Sequence, residues 1–138
     1  MEYGKEGNVI ILKLDFNEDI HESIRAVCEK ENVKNGFVTS GVGAGTDMEV
    51  GYLKGKEYVR MLYEKRMEIV SISGSISQEE PRFHIHVSLA DEEHKVHGGH
   101  LFSGKANPMM EIFITKLADI KLGRKLKETS GLKELTIL

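Results

Sequence analysis

Two hydrophobic periods run through the chain, and they separate one helix from a series of strands. Residues 8–16, NVIILKLDF, are rich in branched side chains and read as a strand. Asn17 then stands where a helix cap is expected, ahead of the acidic pair Glu18 and Asp19. Ile20, Ile24, Val27 and Cys28 recur at the spacing of one helical face, and Asn35-Gly36 supplies a stop, so the pattern predicts a helix over 18–31. Cys28 falls in the apolar stripe, which gives it a structural role in packing.

From residue 36 onward the period changes to two. Segments 36–45, 48–53, 57–64, 66–76, 82–90, 100–104 and 109–118 alternate or run apolar between glycines and polar clusters. Their separations suit hairpins and meanders and leave no room for helical crossovers, so the sheet is expected to be largely antiparallel. Residues 117–128 mix Lys121, Arg124, Lys125 and Lys127 with apolar positions and read as a short helix or loop before a last strand at 132–138. The expected class is α+β: one domain over 1–138, with a mostly antiparallel sheet and one or two helices.

Composition narrows the function classes. Hydrophobic residues make up 40% of the 138 and charged residues 30%, which fits a folded core and excludes a disordered chain. Nineteen Lys plus Arg against 22 Asp plus Glu leave a formal charge of −3, the wrong sign for holding DNA by phosphate neutralisation alone. A basic set at Lys116, Lys121, Arg124, Lys125, Lys127 and Lys133 faces three acids, Asp119, Glu128 and Glu134, and makes only a modest patch. No apolar run approaches a membrane span and the first residues lack the order of a signal peptide, so a cytoplasmic location without membrane contact is expected.

Histidine is where the chemistry concentrates. Five of the six, His84, His86, His94, His97 and His100, lie within one 17-residue window. The strand period places His84 and His86 on one face of 82–90, opposite Phe83, Ile85, Val87 and Leu89. Two imidazoles so placed can converge on a divalent ion if a third ligand comes from a neighbouring segment. His100 is preferred, because Gly98-Gly99 lets the backbone bend and aim its ring, and His97 is the second choice. His94 and His97 otherwise read as exposed turn residues, and His21 as solvated surface.

Glu68 shares a strand face with Val70 and Ile72 on strict alternation and is expected to point inward, as a general base near a metal-bound water or as a partner to a ligand histidine. Its less specialised alternative is an ion pair at a sheet edge or subunit contact. Gly41, Gly43 and Gly45 strip one strand face bare, which predicts close approach by another backbone, a bulge or a subunit rather than a phosphate loop.

The ordered set SGVGAG, EVGYL, RMEIVSISGSI, PRFHIHVSLAD, HGGHLFSG and MEIFI, closing with SGLKELTIL, resembles the PPC family, the domain conserved in plants and prokaryotes, with HxH followed by GGHL its most specific element. The resemblance implies an antiparallel sheet packed with helices, a homotrimer, and a metal, zinc by preference, on His84, His86 and His100. It also implies a fold similar to acetolactate decarboxylase. Plant relatives bind DNA through a separate AT-hook, which has no counterpart here, and use the stretch around Glu68 for partner interaction. Two functions follow as expectations: a metal-binding trimer serving as a regulatory or interaction module, possible DNA association included, or a small metal-dependent lyase or hydrolase using an open metal position and Glu68. Direct DNA binding by the basic patch is a third.

Overall fold

A computed structural model describes residues 1–138. In chain order the elements are β1 (Glu2–Glu6), β2 (Val9–Leu14), α1 (Ile20–Lys30), β3 (Gly36–Lys54), β4 (Glu57–Tyr63), β5 (Met67–Ile76), β6 (Phe83–Ala90), β7 (Val96–Lys116), β8 (Leu122–Lys127) and β9 (Leu132–Ile137). Seven strands form one antiparallel sheet in the order β1-β2-β7-β6-β5-β3-β4. A further pairing of β3 with β7 closes β3, β5, β6 and β7 into a ring, so those four have no unpaired edge along the paired stretch. β8 and β9 make a separate two-stranded sheet. The α+β class and the antiparallel sheet are as the sequence predicts. No helix is long and apolar enough to cross a membrane.

The period of two does the sorting. Ile10, Leu12 and Leu14 of β2 are fully buried while Val9 and Ile11 face outward, and Ile85, Val87 and Leu89 of β6 do the same. These side chains join a core of 23 buried residues that α1 completes with Ile20, Ile24, Val27 and Cys28. Burying each aliphatic side chain stabilises by about 1.5–3 kcal/mol before chain entropy is counted. Cys28 is buried, as its place in the stripe predicts, and burial pushes its thiol up to about 11.

Several boundaries differ from the expectation. The helix begins at Ile20 with Asp19 as its cap, the Asp19 carboxylate accepting from the Glu22 N–H at 2.9 Å. Asn17 is instead a left-handed residue at φ 68°, and its N–H is tied to the Ala106 carbonyl of β7 at 2.8 Å, which keeps it out of the helix. The helix ends at Lys30 with Glu31 as its C-cap, one residue short of the expected end, and Asn32 follows at φ 51°. Residues 36–53 form one strand because four register shifts between Val38 and Val50 bend β3 without ending it. Residues 117–128 hold no helix: β8 pairs with β9, anchored where Asn35 Oδ1 accepts from Leu122 N at 2.9 Å. β1 carries no apolar alternation and is almost wholly exposed, so its only sequence signal is absent.

The alternating glycines sit where backbones crowd, as expected. A Cβ on Gly41 would lie 2.7 Å from the Glu111 carbonyl, and one on Gly43, at φ 128°, would lie 2.4 Å from the Met109 carbonyl. Both are contacts with β7.

Candidate metal centre

β6 presents His84 and His86 on its outer face because Ile85 and Val87 take the inner one. β7 is the next strand, and its register sets His100 directly opposite His86. The glycines ahead of His100 are required by distance. A Cβ on Gly98 would lie 2.2 Å from the Val87 carbonyl of β6, and one on Gly99, at φ 151°, would lie 2.4 Å from the Gly51 carbonyl of β3. β7 is thus squeezed between two strands just where it delivers the third ring.

The three rings converge. Nε2 of His84 and Nε2 of His86 are 3.1 Å apart, and ring centroids are separated by 5.0, 5.3 and 5.6 Å. One nitrogen from each ring lies within 4.8 Å of the others. A tetrahedral zinc with nitrogens at ~2.05 Å needs them about 3.3 Å apart, so the first pair is already in place and His100 must move by at most about 1.5 Å. His100 Nδ1 is buried with no hydrogen-bond partner, a polar atom left unsatisfied by the protein. Three imidazoles with converging nitrogens and no thiolate or carboxylate among them suit a borderline cation such as zinc.

A family model for the Plants and Prokaryotes Conserved (PCC) domain matches residues 1–118, and the match spans the strands that carry all three histidines. The chain belongs to the PCC domain family. A metal-containing protein from Archaeoglobus fulgidus is 30% identical, with 99% of each chain covered and a TM-score of 0.85. A plant- and prokaryote-conserved protein from Pyrococcus horikoshii is 28% identical, covering 99% of this chain and 96% of its own, at a TM-score of 0.82. A Bacteroides thetaiotaomicron protein provisionally described as DNA-binding has the same fold, with a TM-score of 0.87 and 23% identity over 98% of this chain and 96% of its own. The bifunctional protein GlmU of Synechococcus sp. (strain JA-3-3Ab) is 26% identical over 127 residues, 91% of this chain, and the match spans 20% of that relative's length.

Electrostatics favour the neutral form of two of the three rings, His84 and His100. Burial is the main cause holding His84 below the usual imidazole range, helped by His86 and the Arg124 guanidinium. Burial also pushes His100 down to about 4, followed by repulsion from His84, His86, His21 and Arg60. At neutral pH these two rings are therefore uncharged, each with one nitrogen lone pair free and the other nitrogen bearing a proton, the form a metal requires. An aromatic wall backs His100: Phe102 stands 4.6 Å and Tyr58 5.1 Å from its ring centroid. Gly51 leaves room for that wall, since a Cβ there would meet Phe102 at 2.5 Å and Tyr58 at 2.9 Å.

The other expected site residues lie elsewhere. His97 is an odd number of residues from His100 on β7 and faces the other way, its Nε2 bonded to Asp91 Oδ2 at 2.8 Å and its ring 5.3 Å from Tyr63. His94 is exposed in the turn before β7. His21 is not solvated surface: it is half-buried against Phe83, with an unpartnered Nδ1, and its charge bears on His100. A lone histidine one position past the helix stripe gave no signal for this.

Glu68 is exposed, contrary to the inward carboxylate expected. The register shift between Ile69 and Ser71 breaks the alternation, so Met67, Ile69 and Ile72 point inward while Glu68 and Val70 do not. Glu68 pairs with Ala90, whereas His86 pairs with Ser73, which separates their rungs by roughly 15 Å along β5. Glu68 lines a cleft of about 880 Å³ with Arg66, Asp91, Glu93 and His97, and no member of the triad lines that cleft.

Proposed function

We propose that this PCC domain is a metal-binding regulatory or interaction module that holds a divalent ion, zinc by preference, on His84, His86 and His100. The observation that carries the reading is the convergence of three imidazoles, two of them with nitrogens 3.1 Å apart, with His100 Nδ1 buried and unpartnered. The metal-containing A. fulgidus relative supports it. A bound ion would supply a fixed positive charge and a Lewis-acidic position, and three protein ligands leave one position open. The protein's part is to hold the rings by strand register and to keep two of them, His84 and His100, uncharged.

Self-association, as a homotrimer, belongs to the same proposal. Val9, Ile11, Phe37, Val42 and Val70 are each at least 40% exposed on β2, β3 and β5, and apolar side chains left in water on neighbouring strands favour a subunit contact. Action in the cytoplasm and on DNA through partner proteins completes the reading. Direct DNA contact has less support, because the chain's formal charge is −3 and three acids, Asp119, Glu128 and Glu134, stand among the basic set. The lyase or hydrolase alternative loses its proton carrier, since Glu68 stands far from the triad.

Elemental analysis of purified protein tests the centre: about one metal per chain is expected, with loading lost in His84→Ala and in His100→Ala. Unchanged loading in either variant places the ion elsewhere. Sedimentation velocity tests the trimer, and a monomer at micromolar concentration refutes it.

A further inference from the structure

Besides other histidines, the charged side chains that act on His84 and His100 are the guanidiniums of Arg124 and Arg60, and Arg124 has no counter-ion. Arg124 sits half-buried on β8, where its Nε donates to the Pro81 carbonyl at 3.0 Å and one terminal nitrogen to Ser75 Oγ at 3.0 Å. Both acceptors are neutral, and Arg124 forms no ion pair. Glu79 takes only the Arg124 backbone N–H, at 2.8 Å. Ser75 is the cross-strand partner of His84, so the guanidinium is pinned beside that ligand, with its other terminal nitrogen uncommitted. Arg60, on the opposite flank, is satisfied: it pairs with Glu49 at 3.4 Å and lies 3.6 Å over the Phe102 ring.

Charges taken out of water are ordinarily paired, and a half-buried guanidinium with only neutral acceptors leaves that demand unmet. A divalent ion on three neutral imidazoles adds two further positive charges, with no protein carboxylate acting on His84 or His100 to balance them. The missing group is therefore an anion supplied from outside. Arginine favours ligands with several oxygens, since its planar fork can address one oxygen while another serves the metal.

We infer that the centre binds a small oxyanion, one oxygen on the open metal position and another on the Arg124 guanidinium. The inference rests on the metal reading above and adds the ligand's chemical class. Ser75 and Pro81 position the guanidinium, and β8 brings it to the site through the Asn35–Leu122 anchor.

The test uses the full chain loaded with cobalt(II), whose visible absorption reports its ligands. Acetate, inorganic phosphate and chloride are titrated separately into wild type, Arg124→Gln and Arg124→Lys. Saturable changes are expected with acetate or phosphate, weakened about tenfold or more in Arg124→Gln and partly restored in Arg124→Lys, at equal cobalt content. Which of the two anions binds more tightly separates a carboxylate ligand from a phosphate one. Equal affinity in wild type and Arg124→Gln, no saturable response to either oxyanion, or an equal Arg124-dependent response to chloride each overturn the inference while leaving the metal centre standing. Failure of wild type to take up cobalt removes both. Arg124→Lys keeps the charge, so a loss confined to Arg124→Gln is not a folding defect.

Discussion

Gly99→Ala attacks the point where three strands meet beside the triad. A Cβ at Gly99 would lie 2.4 Å from the Gly51 carbonyl oxygen and 3.2 Å from its carbonyl carbon. Ordinary carbon–oxygen contact is about 3.4 Å, so β7 and β3 must part by about 1 Å at the Gly51–His100 rung. Alanine also resists φ 151°, and the two effects together are expected to cost about 2–4 kcal/mol. The same displacement moves His100, while a bound zinc tolerates only about 0.2 Å in its ligand distances. Urea denaturation of metal-free protein and a zinc competition titration read the two consequences separately. Gly4→Ala is the control, since nothing lies within 4 Å of a Cβ there. Stability within about 0.5 kcal/mol of wild type, together with wild-type zinc affinity, refutes the claim that crowding at Gly99 sets the position of His100.

Three further outcomes are expected. His100 has a lower pKa folded, about 4, than its ordinary 6.5, so the metal-free fold loses stability as pH falls from about 6.5 towards 4 and loses none above that window. Partial exposure limits the effect to about 1–2 kcal/mol, and an unchanged pH slope in His100→Leu refutes the assignment. Asn35→Ala strands the Leu122 N–H and weakens the hold on Gln78 N, and should cost about 1–3 kcal/mol and loosen β8. Rapid hydrogen exchange at Leu122 in that variant reports the loosening; wild-type protection contradicts it. Cys28, buried with its thiol pushed up to about 11, should react with a thiol reagent only as fast as the protein opens, and labelling at the rate of a free thiol places it wrongly.

What the amino-acid order determined on its own is local. A spacing of 3.6 put Ile20, Ile24, Val27 and Cys28 on one helical face, and a spacing of two put His84 and His86 side by side with Ile85 and Val87 behind them. Both follow from backbone geometry within a single element. His100 was legible as the third member of the histidine cluster because glycines announce where a chain approaches another closely. Local patterns also mislead where they break: strict alternation turned Glu68 inward, and one register shift on β5 turned it out.

Tertiary structure decided everything that depends on which segments meet. β1 and β8 carry little apolar periodicity: β1 takes its form from the adjacent strand β2, with Lys13 beside Glu2, and β8 from an anchor distant in sequence, Leu122 on Asn35. Arg124 reaches the triad because β8 folds back beside Ser75, 49 residues earlier in the chain. His21 comes within electrostatic range of His100 only because α1 packs on β7. A side chain's own neighbours in sequence fix the face it takes, but the charge and the crowding it meets there come from strand pairing over long separations, and no period along the chain records that pairing.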